Sequence, residues 1–200
     1  MNTRILFVNV RWRWRLLLPA LVVGAVLSLL VPATPVRAAT AVKEYEIKAV
    51  FLFNFAQFVE WPATAFADEA SPVVIGVLGE DPFGEALDRA VQNETVKNRK
   101  VLVKRFRHLA ELKGCHILFV SRSEKARLPQ ILEALKGQSV LMVGDMPDFA
   151  ERGGVINFLL RANKVRFEIN LRAAEDAELK ISTKLIELGS IVGVRRSGEK

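Results

Sequence analysis

Three short apolar runs, at residues 73–78, 116–120 and 139–143, constrain this chain more than anything else in it. The first, Val73-Val74-Ile75-Gly76-Val77-Leu78, is continuous rather than alternating, as in a strand buried on both faces. Gly79-Glu80-Asp81-Pro82-Phe83-Gly84 follows it. Asp81 suits an N-cap and Pro82 a first helical residue, which predicts a helix to about Val91. Residues 101–106 alternate Val101 and Val103 with Lys104 and Arg105 and read as another strand. After the run at 116–120, Ser121 and Glu124 have capping-box spacing, but Pro129 sits too deep for one unbroken helix. A short turn is expected, then a helix from Pro129 to Leu135, ended by Gly137. Gly144-Asp145 and a short helix around Phe149 follow the third run. Strands that alternate with helices imply a three-layer α/β fold, a mostly parallel sheet with helices on both faces. The ending departs from this rhythm. Residues 155–160 and 165–169, joined through Ala162-Asn163, predict an antiparallel hairpin. Val165, Phe167 and Ile169 face one way, Arg166 and Glu168 the other. A last helix is expected over 179–192, with Ile181, Leu185, Leu188 and Val192 on one face.

Residues 42–61 carry a helical pattern of unusual breadth. Ile47, Val50, Phe51, Phe55 and Phe58 make one face, and Ala49, Phe53 and Ala56 lie opposite. A helix apolar nearly all round is buried on more than one side. Either a second helix of the domain covers the Phe53 side, or a partner or a second subunit does. Phe53, Ala49 and Ala56 are therefore the candidate partner-binding residues, and a homodimer is one way to use them. Pro62 ends the helix.

Ahead of that helix, Arg11-Trp12-Arg13-Trp14-Arg15 precedes an apolar stretch from Leu16 to Val31, and Val36-Arg37-Ala38 closes with a small residue. This reads as a secretory signal peptide over residues 1–38, cut near Ala38, ahead of a single domain over 39–200 in the periplasm. A retained anchor is the alternative, although the apolar stretch is shorter than the roughly 20 residues of a spanning helix. The formal charge of the chain is +7, but residues 1–38 hold five cations and no acid, leaving 24 cations against 22 acids. A balanced domain carries no electrostatic footprint for nucleic acid.

No catalytic constellation stands out. The loop after residue 78 matches no dinucleotide or phosphate fingerprint, and its two acids sit where a phosphate would lie. With two histidines and one cysteine, no spacing suits a metal, and no cofactor is implied. Cys115 reads as a buried structural thiol, with an intermolecular disulfide as the alternative. Neighbouring strand residues point to opposite faces, so Cys115 and His116 do not make a nucleophile–base pair, and His116 reads as a packed residue. Ligands of open α/β sheets bind beyond the carboxyl ends of strands, which makes Gly79, Asp81 and Asp145 the candidate ligand loop. Asp145 reads foremost as a turn residue capping the next helix, and secondarily as an acid or base. These features predict a non-enzymatic protein.

The same stretches resemble the YfiR family, periplasmic proteins built on the DUF4154 domain. The helix Tyr45-Glu46-Ile47-Lys48-Ala49-Val50-Phe51-Leu52-Phe53-Asn54-Phe55-Ala56-Gln57-Phe58-Val59-Glu60-Trp61-Pro62 is similar to its Y-x-I-K-A-x-F-L-x-N-F-x-x-F-x-E-W-P signature. Residues 75–84 resemble its I-G-V-L-G-x-D-P-F-G, and 115–123 its C-H-I-L-F-x-S-x-S. Val143-Gly144-Asp145, Gly153-Gly154, Arg166-Phe167-Glu168-Ile169-Asn170 and Leu179-Lys180-Ile181-Ser182 match in the same order. The resemblance implies a regulator that represses an inner-membrane diguanylate cyclase, or a similar sensor, by binding its periplasmic region, with consequences for cyclic di-GMP and biofilm. It also implies an outer-membrane lipoprotein partner. Relatives with internal disulfides sense oxidation, but Cys115 has no partner in this chain, so that control does not carry over. A periplasmic small-ligand-binding protein is the alternative function.

Overall fold

A computed structural model describes residues 36–193. The expected leader, residues 1–38, lies outside them except for Val36–Ala38, which open the first helix. Helix α1 spans Val36–Phe58 and runs into the two-residue strand β1, Val59–Glu60. The order then is β2 (Val73–Leu78), α2 (Glu85–Val91), β3 (Thr95–Val96), β4 (Arg99–Phe106), β5 (Ile117–Val120), α3 (Leu128–Ala134) and β6 (Leu141–Gly144). The chain closes with β7 (Ile156–Arg161), β8 (Lys164–Ile169), α4 (Leu171–Asp176), β9 (Lys180–Ile181), α5 (Thr183–Leu188) and β10 (Ser190–Ile191).

Eight strands form one sheet in the order β3-β4-β2-β5-β6-β7-β8-β10. All neighbours are parallel except β3–β4 and the hairpin β7–β8, and β1 pairs with β9 in a separate antiparallel ribbon. The expected mostly parallel α/β sheet with an antiparallel hairpin is thus the observed fold. The central strands β2, β5 and β6 are buried at every position, because helices lie on both faces. One face packs Ile75, Val77, Phe119, Val143, Ile156 and Phe158 against α1 and α2. The other packs Leu118, Val120 and Met142 against Leu128, Ile131 and Leu135 around α3.

Four local expectations are corrected. The helix after β2 starts at Glu85, not Pro82, because Asp81 spends its side chain on an Asx turn to the Phe83 N–H at 2.8 Å. No helix forms around Phe149. Asp148 takes φ +60, and the Phe149 ring lies where a Cβ on Gly144 or Gly154 would be. The expected helix over 179–192 is three elements, since Ser182 caps α5 by accepting from the Leu185 N–H, leaving Ile181 in β9. Leu188 is exposed rather than inward.

The fourth correction concerns α1. Its buried positions are Lys48, Ala49, Leu52, Phe55 and Ala56, while Ile47 and Val50, expected inward, are exposed. Small residues at 49 and 56 let the helix backbone approach the sheet closely. Ala49 and Ala56 are fully buried in this domain's own core and present no surface to a partner. Phe53 is half-buried and packs against the same core.

Candidate functional site

Lys48 comes first among the largest fully buried side chains, at 1% exposure. A buried ammonium needs a partner, because its desolvation costs several kcal/mol. Tyr45 and Lys48 lie three residues apart on α1 and so share a face. That face meets the carboxyl end of β6, where Asp145 follows Gly144. Asp145 Oδ2 accepts from Lys48 Nζ at 2.6 Å and from the Tyr45 hydroxyl at 2.7 Å. Its Oδ1 accepts from Arg122 Nε at 3.1 Å, and Arg122 also reaches the Asp145 carbonyl at 3.0 Å. Glu44 completes the set at 2.5 Å from Lys48 Nζ. Two acids and two cations balance in one cluster, with Lys48 and Asp145 buried at its centre, Arg122 exposed at its rim, and Lys48 Nζ 4.3 Å from the centre of the Tyr45 ring.

This arrangement is an anchor rather than an acid–base machine. Burial first, and then the hydrogen bond to the Asp145 carboxylate, push the Tyr45 phenol well above its usual range, so it remains a donor. Burial alone would lower the Arg122 guanidinium, but the Asp145 carboxylate outweighs it, and the net direction is up. Both carboxylate oxygens of Asp145 are occupied by fixed donors. Asp145 therefore caps no following helix. It ties α1 and the segment after β5 to the end of β6.

Gly79 and Asp81 belong to a different contact. Asp81 Oδ2 accepts from Arg105 Nε at 2.9 Å, and Arg105 continues to Asp88 at 2.5 Å and to the Gly84 carbonyl at 2.9 Å. The chain passes from β2 to β4 and back to β5, so the strand order reverses between β2 and β5, the usual ligand crevice of such sheets. Here that crevice is filled. Gly79 has φ +90, and any Cβ on it would collide with Ser123 and Glu124. The Glu80 N–H donates to Ser123 Oγ at 3.0 Å. Glu124 is buried, and its Oε2 lies 3.1 Å from Arg127 Nη1 as an ion pair without hydrogen-bond alignment. The structure thus brings Asp145 together with Tyr45 and Lys48, not with Gly79 and Asp81. The signal for this was the lysine set in an otherwise apolar helix, three residues after a tyrosine.

Two further features bound the chemistry. Among the described residues no group of three or more His, Cys, Asp or Glu side chains is placed to hold a metal. Cys115 is buried, and desolvation pushes its thiol up to about 12, which makes it a poor nucleophile at neutral pH. No described helix is long and apolar enough to cross a membrane. Beside Asp145 runs a groove of about 610 Å³ that includes neither Gly79 nor Asp81.

A family model for YfiR/HmsC-like proteins, DUF4154, matches residues 45–190, from the anchor tyrosine to the last strand. This chain belongs to that family. No curated protein matches the sequence. The role of the YfiR-like family is periplasmic and regulatory.

Proposed function

We propose that this YfiR-like chain is a periplasmic, non-enzymatic regulator that represses an inner-membrane diguanylate cyclase by binding its periplasmic region. The family match over residues 45–190 carries the reading. The polar cluster supports it, because every group that would serve as acid or base there is committed to holding α1 in place. A binder of this kind acts by favouring one of two receptor states, and its effect equals its difference in affinity for them. An outer-membrane lipoprotein that competes for it would release the cyclase by the same mass action.

Cellular cyclic di-GMP in a strain lacking the protein, compared with the complemented strain, tests this. A rise on deletion, reversed on complementation, is the expected result. An unchanged level across several growth conditions would reject the repressor role. The second reading, a small-ligand-binding protein, draws on the groove beside Asp145, and a metabolite that raises the melting temperature of the purified protein would favour it.

A further inference from the structure

The tip of the β7–β8 hairpin stands clear of the sheet it belongs to. β6 pairs with β7 only at Val143↔Ile156 and Gly144↔Asn157, and β10 pairs with β8 only at Ser190↔Glu168 and Ile191↔Ile169. β7 and β8 pair with each other through to Arg161↔Lys164. Among the described residues, no strand flanks 158–166 on either side. Residues 158–161 carry the hairpin roughly 13 Å past its last rung with β6. Ala162 and Asn163 take positive φ, 48° and 58°, in the tight two-residue turn that ends it. Residues 160–164 are all exposed.

This projection has two unlike faces. Residues directly opposite on an antiparallel pair share a face. Arg161 stands against Lys164, and Leu159 against Arg166, on one face; Leu160 stands against Val165 on the other. The segment Leu159–Arg166 holds three cations and no acid. Like charges directly across two strands destabilise a hairpin. Glu168 offsets little of this, because it reaches Arg161 Nη2 only at 3.7 Å and also accepts from Asn157 Nδ2 at 3.4 Å. The three cations line a groove of about 460 Å³ walled by Leu159 and Leu188, and its lining contains no acid. Folding gains nothing from this arrangement, which calls for an anionic counterpart. Leu160, 51% exposed, narrows the choice. An acidic peptide on the cationic face would leave it in water. A lipid surface engages both faces at once, with phosphates at the level of the cations and an apolar boundary just below for the tip.

We propose that the tip of this hairpin docks on an anionic lipid surface, with Leu160 entering the boundary between headgroups and acyl chains and Arg161, Lys164 and Arg166 on lipid phosphates. Each cation near such a surface is worth roughly fivefold in partition. Three cations less the charge of Glu168 therefore favour anionic over neutral lipid by about thirtyfold. Docking of that strength is reversible. It keeps the chain near a membrane without fixing it there, and it does not depend on which receptor the chain regulates.

Vesicle flotation of the protein as the cell accumulates it is the test, with vesicles of phosphatidylglycerol and phosphatidylcholine in equal parts or of phosphatidylcholine alone. At low salt, partition into the anionic vesicles is expected to be about thirtyfold the stronger, and the difference shrinks as salt shortens the screening length. The triple variant Arg161→Gln, Lys164→Gln, Arg166→Gln loses the preference. Lys164→Gln alone leaves the urea midpoint unchanged or raised, because it removes a repulsion, so the loss is not one of folding. Leu160→Ser weakens partition by about fivefold at either composition. Equal partition into the two kinds of vesicle overturns the proposal, as does a preference that survives in the triple variant. Displacement from the anionic vesicles by heptaglutamate at matched charge overturns it too, and would assign the cations to an acidic protein segment instead.

Discussion

The middle of α1 and the chain just past its end are held by opposite kinds of chemistry. At the middle, Lys48 and Tyr45 meet Asp145 at the carboxyl end of β6, and the bonds are ionic. Just past its end, the anchors are neutral. β1 pairs with β9, the Ser182 N–H donates to the Phe58 carbonyl at 2.9 Å, and Trp61 Nε1 donates to the His116 carbonyl at 3.2 Å. The His116 ring adds two more contacts. Its Nδ1 accepts from the Val74 N–H at 3.1 Å, which leaves Nε2 to donate to the Ala65 carbonyl at 3.2 Å. The ionic anchor fails badly if one partner is removed. The neutral end tolerates the loss of one bond but is exposed to acid through a single imidazole.

The ionic end predicts the largest effect. Asp145→Ala leaves the buried Lys48 ammonium with Glu44 as its one acid and takes the acceptor from Tyr45 and Arg122, which costs about 3 kcal/mol of stability. Urea denaturation measures it. The double variant Lys48→Met with Asp145→Leu recovers only part of that loss, because it removes two buried charges but leaves the Tyr45 hydroxyl and Glu44 without their partners. A cost below about 1 kcal/mol for Asp145→Ala would mean that the cluster behaves as a surface pair, and the contrast between the two ends would disappear.

The neutral end predicts a pH dependence through His116. Burial lowers the His116 pKa below its ordinary 6.5; the Ala65 hydrogen bond opposes this and the Arg99 guanidinium reinforces it. The ring stacks on Phe66 at 4.4 Å between centroids, and Arg99 lies 4.0 Å over the other ring of that stack. Asp68 is in the same loop, with its carbonyl accepting from Arg99 Nη1 at 2.8 Å. The unfolded chain therefore binds the His116 proton before the folded chain does. Stability contributed by the neutral ring is complete above pH 6.5 and falls as pH drops below it, until the folded imidazole titrates too. The slope reaches at most about 1.4 kcal/mol per pH unit. Denaturation at pH 7.5 and at pH 5 checks it, with His116→Gln as the control that keeps an amide donor and acceptor but cannot titrate. Equal pH slopes in the two proteins would show that His116 does not carry the dependence.

How much of this was legible depended on whether a residue's role was local. The strands of the central sheet were readable because burial on both faces leaves an unbroken apolar run, as in Val73–Leu78. The hairpin was readable from alternation and from Ala162-Asn163. The rotation of α1 was not. Counting large apolar side chains selects Ile47 and Val50, whereas the helix turns inward on two alanines and a lysine. The distant Asp145, 97 residues away in sequence, joins Glu44 in offsetting the desolvation of that lysine. The break at Ser182 was hidden for a similar reason, because a capping serine inside an apolar period looks like an ordinary surface position. Asp145 was found as a polar residue at a strand end, but its partners came from the far side of the chain.

The middle of α1 supplies the smallest effect and the sharpest check on that rotation. Val50 is 52% exposed, and Ala49 beside it is fully buried. Val50→Ala removes a β-branched side chain from an exposed helical position, where alanine is the better helix former, so stability changes by no more than about 0.5 kcal/mol. Ala49→Leu forces extra methylenes between helix and sheet and costs about 1–3 kcal/mol. The pair isolates orientation, since neither side chain carries a hydrogen bond or charge of the ionic or neutral anchors. The reverse ranking by urea denaturation would mean that α1 faces the sheet with Val50, and the Lys48–Asp145 anchor would then be impossible, because residues two apart on a helix do not share a face.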